Sequence, residues 1–151
     1  MKTLIKGSML KSLSGIGTSY TTLSVGLLFL RITAGSAMLF SHGWPKVLGW
    51  PIMATLFPDP IGTGSMVAFI LAVLAEVVGS IMIIAGIFTR FAAGIVSFTM
   101  AVAFFIVHAG DNFSIRELAY VYLVIFLFLM ITGPGKFSVD ERLINKINRQ
   151  K

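Results

Sequence analysis

The sequence predicts an all-α integral membrane protein. It reads as a four-helix bundle with both termini in the cytoplasm (N-in/C-in) and an amphipathic surface helix at each end. Three observations carry this. Of the 151 residues, 56% are hydrophobic and only 12% are charged, about half the charged share of a soluble domain. Four segments are apolar for about 20 residues, the length that crosses a bilayer core as helix. Lys and Arg gather at the two ends of the chain, outside those segments. The whole chain is one membrane domain: residues 1–21 amphipathic, 22–132 spanning, 133–151 basic and amphipathic.

The first span is expected over Thr22–Phe40 and the second over Ser65–Phe88. The third is expected over Phe91–Ala109 and the fourth over Ile115–Thr132. Pro45, Pro51, Pro58 and Pro60 punctuate the segment between spans one and two, where they disfavour a continuous helix. Thr89-Arg90 leaves a tight turn between spans two and three. Ser114 and Glu117 read as a capping box opening span four, and Gly133-Pro134-Gly135 closes it.

Orientation follows from the loops. With the N-terminus inside, the inner side holds Lys2, Lys6, Lys11, Arg90, Lys136, Arg142, Lys146, Arg149 and Lys151. The outer side holds Lys46 and Arg116. Nine bases against two place both termini in the cytoplasm. The net charge of +6 therefore points to anionic lipid and not to nucleic acid. In the N-terminal tail Ile5, Met9, Leu13 and Ile16 share a face. After a second capping-box pattern at Ser138 and Glu141, Val139, Leu143, Ile144 and Ile147 form another apolar stripe. The two halves show no inverted repeat, which sets aside that transporter architecture.

Two ionisable residues lie inside the spans. Arg31 is nine residues into span one and Glu76 twelve residues from the inner end of span two. At ~1.5 Å per residue their depths differ by about 4 Å. Charges at mid-membrane cost several kcal/mol, about 3 on insertion scales, and mark function or pairing. The expectation is an Arg31–Glu76 intramembrane pair. It is read either as a buried salt bridge orienting two helices or as a site for protons or a ligand headgroup.

Helical phase extends the polar axis. Arg31, Gly35, Met38 and His42 share a face of span one; Phe69, Ala72, Glu76, Ser80 and Ile83 share one of span two. Gly94, Ser97, Ala101 and His108 align on span three, and Glu117, Val121, Val124 and Phe128 on span four. His42, Lys46, His108 and Glu117 should then ring an outer mouth, with a cavity open to the outer leaflet or periplasm. Two histidines at one end are the minimum for bis-His haem ligation, a weak reading beside ordinary interface solvation. No zinc site is expected, because closed structural sites take four N or S ligands. Cysteine is absent, which excludes disulfides, thiol catalysis and Cys-ligated clusters. No catalytic constellation is legible, so no enzymatic activity is assigned.

An ordered set of short elements resembles the DoxX family of small membrane proteins over about Leu28–Leu143. These are Leu30-Arg31 with Gly35, His42-Gly43 and Lys46, Glu76, and Gly86-Ile87-Phe88-Thr89-Arg90. His108, Glu117 and Gly133-Pro134-Gly135-Lys136-Phe137-Ser138-Val139-Asp140 complete the set. The resemblance implies a four-span protein of the bacterial plasma membrane. The family takes its name from a subunit of a terminal quinol oxidase. It implies a redox-associated accessory subunit near the quinone pool, with a quinone as the implied ligand and a membrane or soluble redox protein as partner. A carrier of another small lipophilic molecule and a non-catalytic scaffold for a soluble protein are the alternatives. Homo-oligomers fit the large lipid-facing surface of four short helices.

Overall fold

A computed structural model describes residues 19–150. The chain forms six helices in that range, four of them long and apolar enough to cross a membrane. The N-terminal surface helix expected around Ile5–Ile16 lies outside the described residues.

Helix α1 spans Tyr20–Leu48. Ser19 caps it, its hydroxyl accepting the Thr22 N–H. The helix was expected to stop near Phe40, but it runs on through Pro45. A π turn over Leu39–Gly43 precedes that proline. Trp44 N–H bonds back to the Leu39 carbonyl, one residue further than in an α-helix. The wider turn makes room for the ring and the missing donor of Pro45, the conflict that ends most helices. The cis bond Trp50-Pro51 and a short helix α2 (Ile52–Leu56) follow.

Helix α3 (Ser65–Ala85) contains a second π turn over Leu74–Gly79. Gly86, at φ 74°, ends it, and Phe88 at φ 44° turns the chain into α4 (Thr89–Val107). The tight turn thus sits at Gly86–Phe88, just before the expected Thr89-Arg90. A third π turn, Ala103–Val107, closes α4. Helix α5 spans Phe113–Thr132. Asn112 is its cap residue, so the expected Ser114–Glu117 capping box does not form. Gly133 stops α5. Helix α6 (Val139–Asn148) begins at Ser138, whose hydroxyl accepts the Glu141 N–H, half of the capping box expected there.

The spans alternate in direction. Their "terminal end" holds Tyr20, the Gly86–Phe88 turn and Thr132. Their "loop end" holds Leu48, Ser65, Val107 and Phe113. The core is built of small and medium side chains, among them Ala34, Met38, Ile83, Ala92, Ala93, Val96, Phe126 and Leu129. Small residues let helices approach where lipid supplies no hydrophobic drive. At Gly35 a Cβ would overlap Ile84, and at Gly79 it would overlap Val96. The inward faces expected for α1 and α3 are buried, except that His42 at the end of the α1 face is half-buried. On α5 the face was misread. Glu117, Val121, Val124 and Phe128 are exposed, and Tyr122, Leu123, Phe126 and Leu129 are buried. Glu117 lies only one turn into its helix, where it reaches water without facing the bundle.

Candidate functional site

The two intramembrane charges do not meet. Arg31 is fully buried, and its Nη2 donates to the Phe137 carbonyl at 2.6 Å. Glu76, 4% exposed, instead receives Lys46 Nζ at 2.6 Å on Oε2. The reason is the direction of side chains on helices. Each Cα–Cβ bond tilts toward its helix N-terminus. In α1 that tilt carries Arg31 to the terminal end. In the antiparallel α3 it carries Glu76 to the loop end. Similar depth in the backbone becomes separation at the functional groups.

Arg31 belongs to a lock at the terminal end. A Cβ on Gly86 would collide with Arg31 Nη1, so the positive-φ glycine is also the surface on which the guanidinium lies. The irregular stretch after α5 folds over it. The Asp140 carboxylate accepts the N–H of Phe88 at 2.8 Å and of Thr89 at 3.1 Å, and the Thr89 hydroxyl at 3.2 Å. Asp140 N–H in turn donates to the Gly86 carbonyl at 2.9 Å. Ser24 Oγ accepts the Lys136 N–H at 3.1 Å. These bonds hold the strained Phe88 in place, and they join α1, the Gly86–Phe88 turn and the start of α6.

The loop end holds a cavity of about 550 Å³. That is within the range of small-molecule sites, roughly 300–1,000 Å³. Its walls are mostly apolar, including Ala68, Ala72, Met100 and Ala103, and its polar groups are His42, Lys46, Glu76, Thr99, His108 and Tyr122. Lys46 reaches Glu76 because α1 continues past Pro45. Its ammonium also donates to the His42 carbonyl at 3.4 Å. The π turns at His42 and Glu76 abut: a Cβ on Gly43 would come within 3.0 Å of the Glu76 carbonyl and 2.8 Å of Val77. Each of the three π turns contributes a wall residue: His42, Glu76 and Ala103. Such turns recur at functional sites. The His42 ring stands edge-on to Tyr122, centroids 5.5 Å apart.

Four of the six expected site residues therefore gather here: His42, Lys46, Glu76 and His108. Arg31 and Glu117 do not. His108 stands at the rim, its Nδ1 2.7 Å from Asp111 Oδ2. Tyr122 was missed. Its signal was the i, i+4 pair with Phe126, whose rings stack at 5.9 Å and mark the inward face of α5. Among the described residues the Tyr122 hydroxyl makes no hydrogen bond, and the Lys46 ammonium uses two of its three N–H donors. The site thus offers donors to a polar head and apolar wall to a body. No cluster of three or more His, Cys, Asp or Glu suited to a metal ion occurs among the described residues.

The chain belongs to the DoxX family, whose model matches residues 26–109. That match holds Arg31, His42, Lys46, Glu76 and His108 and stops before α5. An uncharacterised protein of Haemophilus influenzae is 35% identical over 127 residues, 80% of this chain and 92% of its own. Inner membrane protein YqjF of Escherichia coli is 34% identical over 131 residues, covering 81% and 94%. Inner membrane protein YphA of the same organism is 30% identical over 125 residues, covering 77% and 89%. No solved structure matches the chain.

Proposed function

We propose that this DoxX-family protein binds the head of a quinone-type molecule in its loop-end cavity and serves as an accessory subunit near the quinone pool. The carrying observation is the Lys46–Glu76 pair, its carboxylate buried, facing a mostly apolar cavity of about 550 Å³. A quinone head is flat and apolar with two carbonyl acceptors. Lys46 and Tyr122 supply donors to the carbonyls, His42 packs against the ring, and Glu76 accepts the hydroxyl proton of the reduced form. Desolvation offsets much of the attraction in such a pair, so net stability alone is a weak reason for placing it there.

The test is an oxidised-minus-reduced ultraviolet–visible spectrum of the purified protein, with thermal unfolding in the presence of a chainless benzoquinone. A quinone-type ultraviolet change and a raised Tm that Glu76→Gln removes are expected. A flat spectrum with no ligand-induced shift would overturn the reading. A Soret change would instead assign haem to His42 and His108. The same cavity favours a second reading, a carrier of another lipophilic molecule. That reading predicts ligand-dependent stabilisation without any redox-dependent spectrum.

The setting is the bacterial inner membrane, as for YqjF and YphA, with both termini cytoplasmic and the cavity in the outer half. The nine-to-two distribution of Lys and Arg supports this orientation. Because the chain lacks cysteine, single cysteines report it cleanly. An impermeant maleimide should label Thr63→Cys in intact cells and Gln150→Cys only after lysis. The opposite pattern inverts the topology.

A further inference from the structure

We infer that the cavity is entered from the hydrocarbon of the bilayer, through a gap between α3 and α4, and that its ligand is a long-chain amphiphile whose tail stays in that gap. The inference deepens the headgroup reading above and rests on it for the identity of the head.

Two observations place the gap. Helix α3 packs on α4 along its Leu74–Ala85 half, whereas its Ser65–Val73 half does not make that packing. The two helices therefore diverge toward the loop end, and the cavity lies in the crevice. The cavity wall includes Leu71 of α3 and Ile95 and Phe98 of α4, all of them exposed at the bundle surface. A wall residue that is also on the outer surface marks a rim.

Depth decides what the rim faces. Phe98 is nine residues from each end of the 19-residue α4. At ~1.5 Å per residue it lies about 13 Å from both ends. In a hydrocarbon core of about 30 Å that is the middle of the bilayer. The rim therefore opens onto acyl chains.

On the aqueous side a loop partly covers the cavity, whose wall also reaches the exposed Val107 and Ile115 at the loop end. Phe57, Pro58, Pro60 and Ile61 line the cavity from above. The Phe57 ring stands on Phe69 with centroids 5.3 Å apart. Asp59 fixes the loop by accepting the N–H groups of Thr63 and Gly64, each at 2.8 Å. A polar end at Lys46 and Glu76, a partial cover on the water side and a mid-bilayer rim fit a molecule with a hydrogen-bonding head and a hydrocarbon chain.

The first test needs no ligand. Trp44→Phe and Trp50→Phe remove the native indoles, and Tyr122→Trp places a single one on the cavity wall. In bilayers whose acyl chains are brominated, its fluorescence should fall at least twofold, and iodide in the water should quench it far less. Iodide quenching that exceeds bromolipid quenching would overturn the lipid route. The second test compares a benzoquinone bearing a ten-carbon chain with the chainless ring. Leu71→Trp with Ile95→Trp, which fills the gap, should weaken the chained form at least tenfold more than the ring. Equal losses refute the tail position. Failure of the wild-type protein to bind either compound refutes the quinone head alone, because the quenching measurement still decides the route.

Discussion

The two ends of the bundle each hold a cation from α1, and they use it differently. At the terminal end Arg31 is sealed, 0% exposed and bonded to a backbone carbonyl. At the loop end Lys46 meets a carboxylate beside a cavity, and its side chain keeps 16% exposure. The guanidinium is planar and weakly hydrated, which suits a closed, backbone-lined pocket. The ammonium is compact and has a donor to spare for a ligand. The elements that carry the family resemblance divide in the same way. Gly86–Arg90 and Gly133–Asp140 close the terminal end, and His42, Lys46, Glu76 and His108 form the cavity. The bundle thus has a fixed end and a working end.

Arg31→Ala should break the fixed end most severely. It leaves a cavity and strands the Phe137 carbonyl, at a cost of about 3 kcal/mol, read as a drop in Tm and faster proteolysis. A Tm unchanged from wild type would mean that Arg31 is not structural. Gly86→Ala should cost about 2 kcal/mol, because the positive φ and the guanidinium both oppose a Cβ. Glu76→Gln tests the other end. It should weaken ligand binding about tenfold, or ~1.4 kcal/mol, while the protein still inserts and purifies. Loss of stable insertion would make Glu76 structural and erase the contrast between the ends. Asp140→Asn should lower stability by about 1 kcal/mol, since one of the acceptors for Phe88 and Thr89 becomes a donor, without changing ligand affinity. The smallest effect is expected at Leu143→Asn on the exposed face of α6, within about 0.5 kcal/mol in detergent. Its consequence should appear in vesicles rich in anionic lipid, as reduced protection of α6 from protease.

Much of this was readable in the residues. The buried faces of α1 and α3 followed from a 3.6-residue period anchored on Arg31 and on Glu76, since a charge in hydrocarbon must turn inward. The same rule failed on α5. Glu117 is near a helix end and meets water there, so it fixes no phase, and the apolar remainder of that helix carries little contrast between faces. The Ser114–Glu117 pattern likewise lost to Asn112, two residues earlier.

By itself the sequence determined the four spans, the polar faces of α1 and α3, the closing Gly133 and the Ser138 cap. Each depends on length, periodicity or a local backbone need. Only the tertiary structure decided which charge meets which. Three π turns shift the helical register, and antiparallel helices aim their side chains at opposite ends. So two charges at nearly one depth part company, and Lys46, which sits beyond a proline, becomes the partner of Glu76.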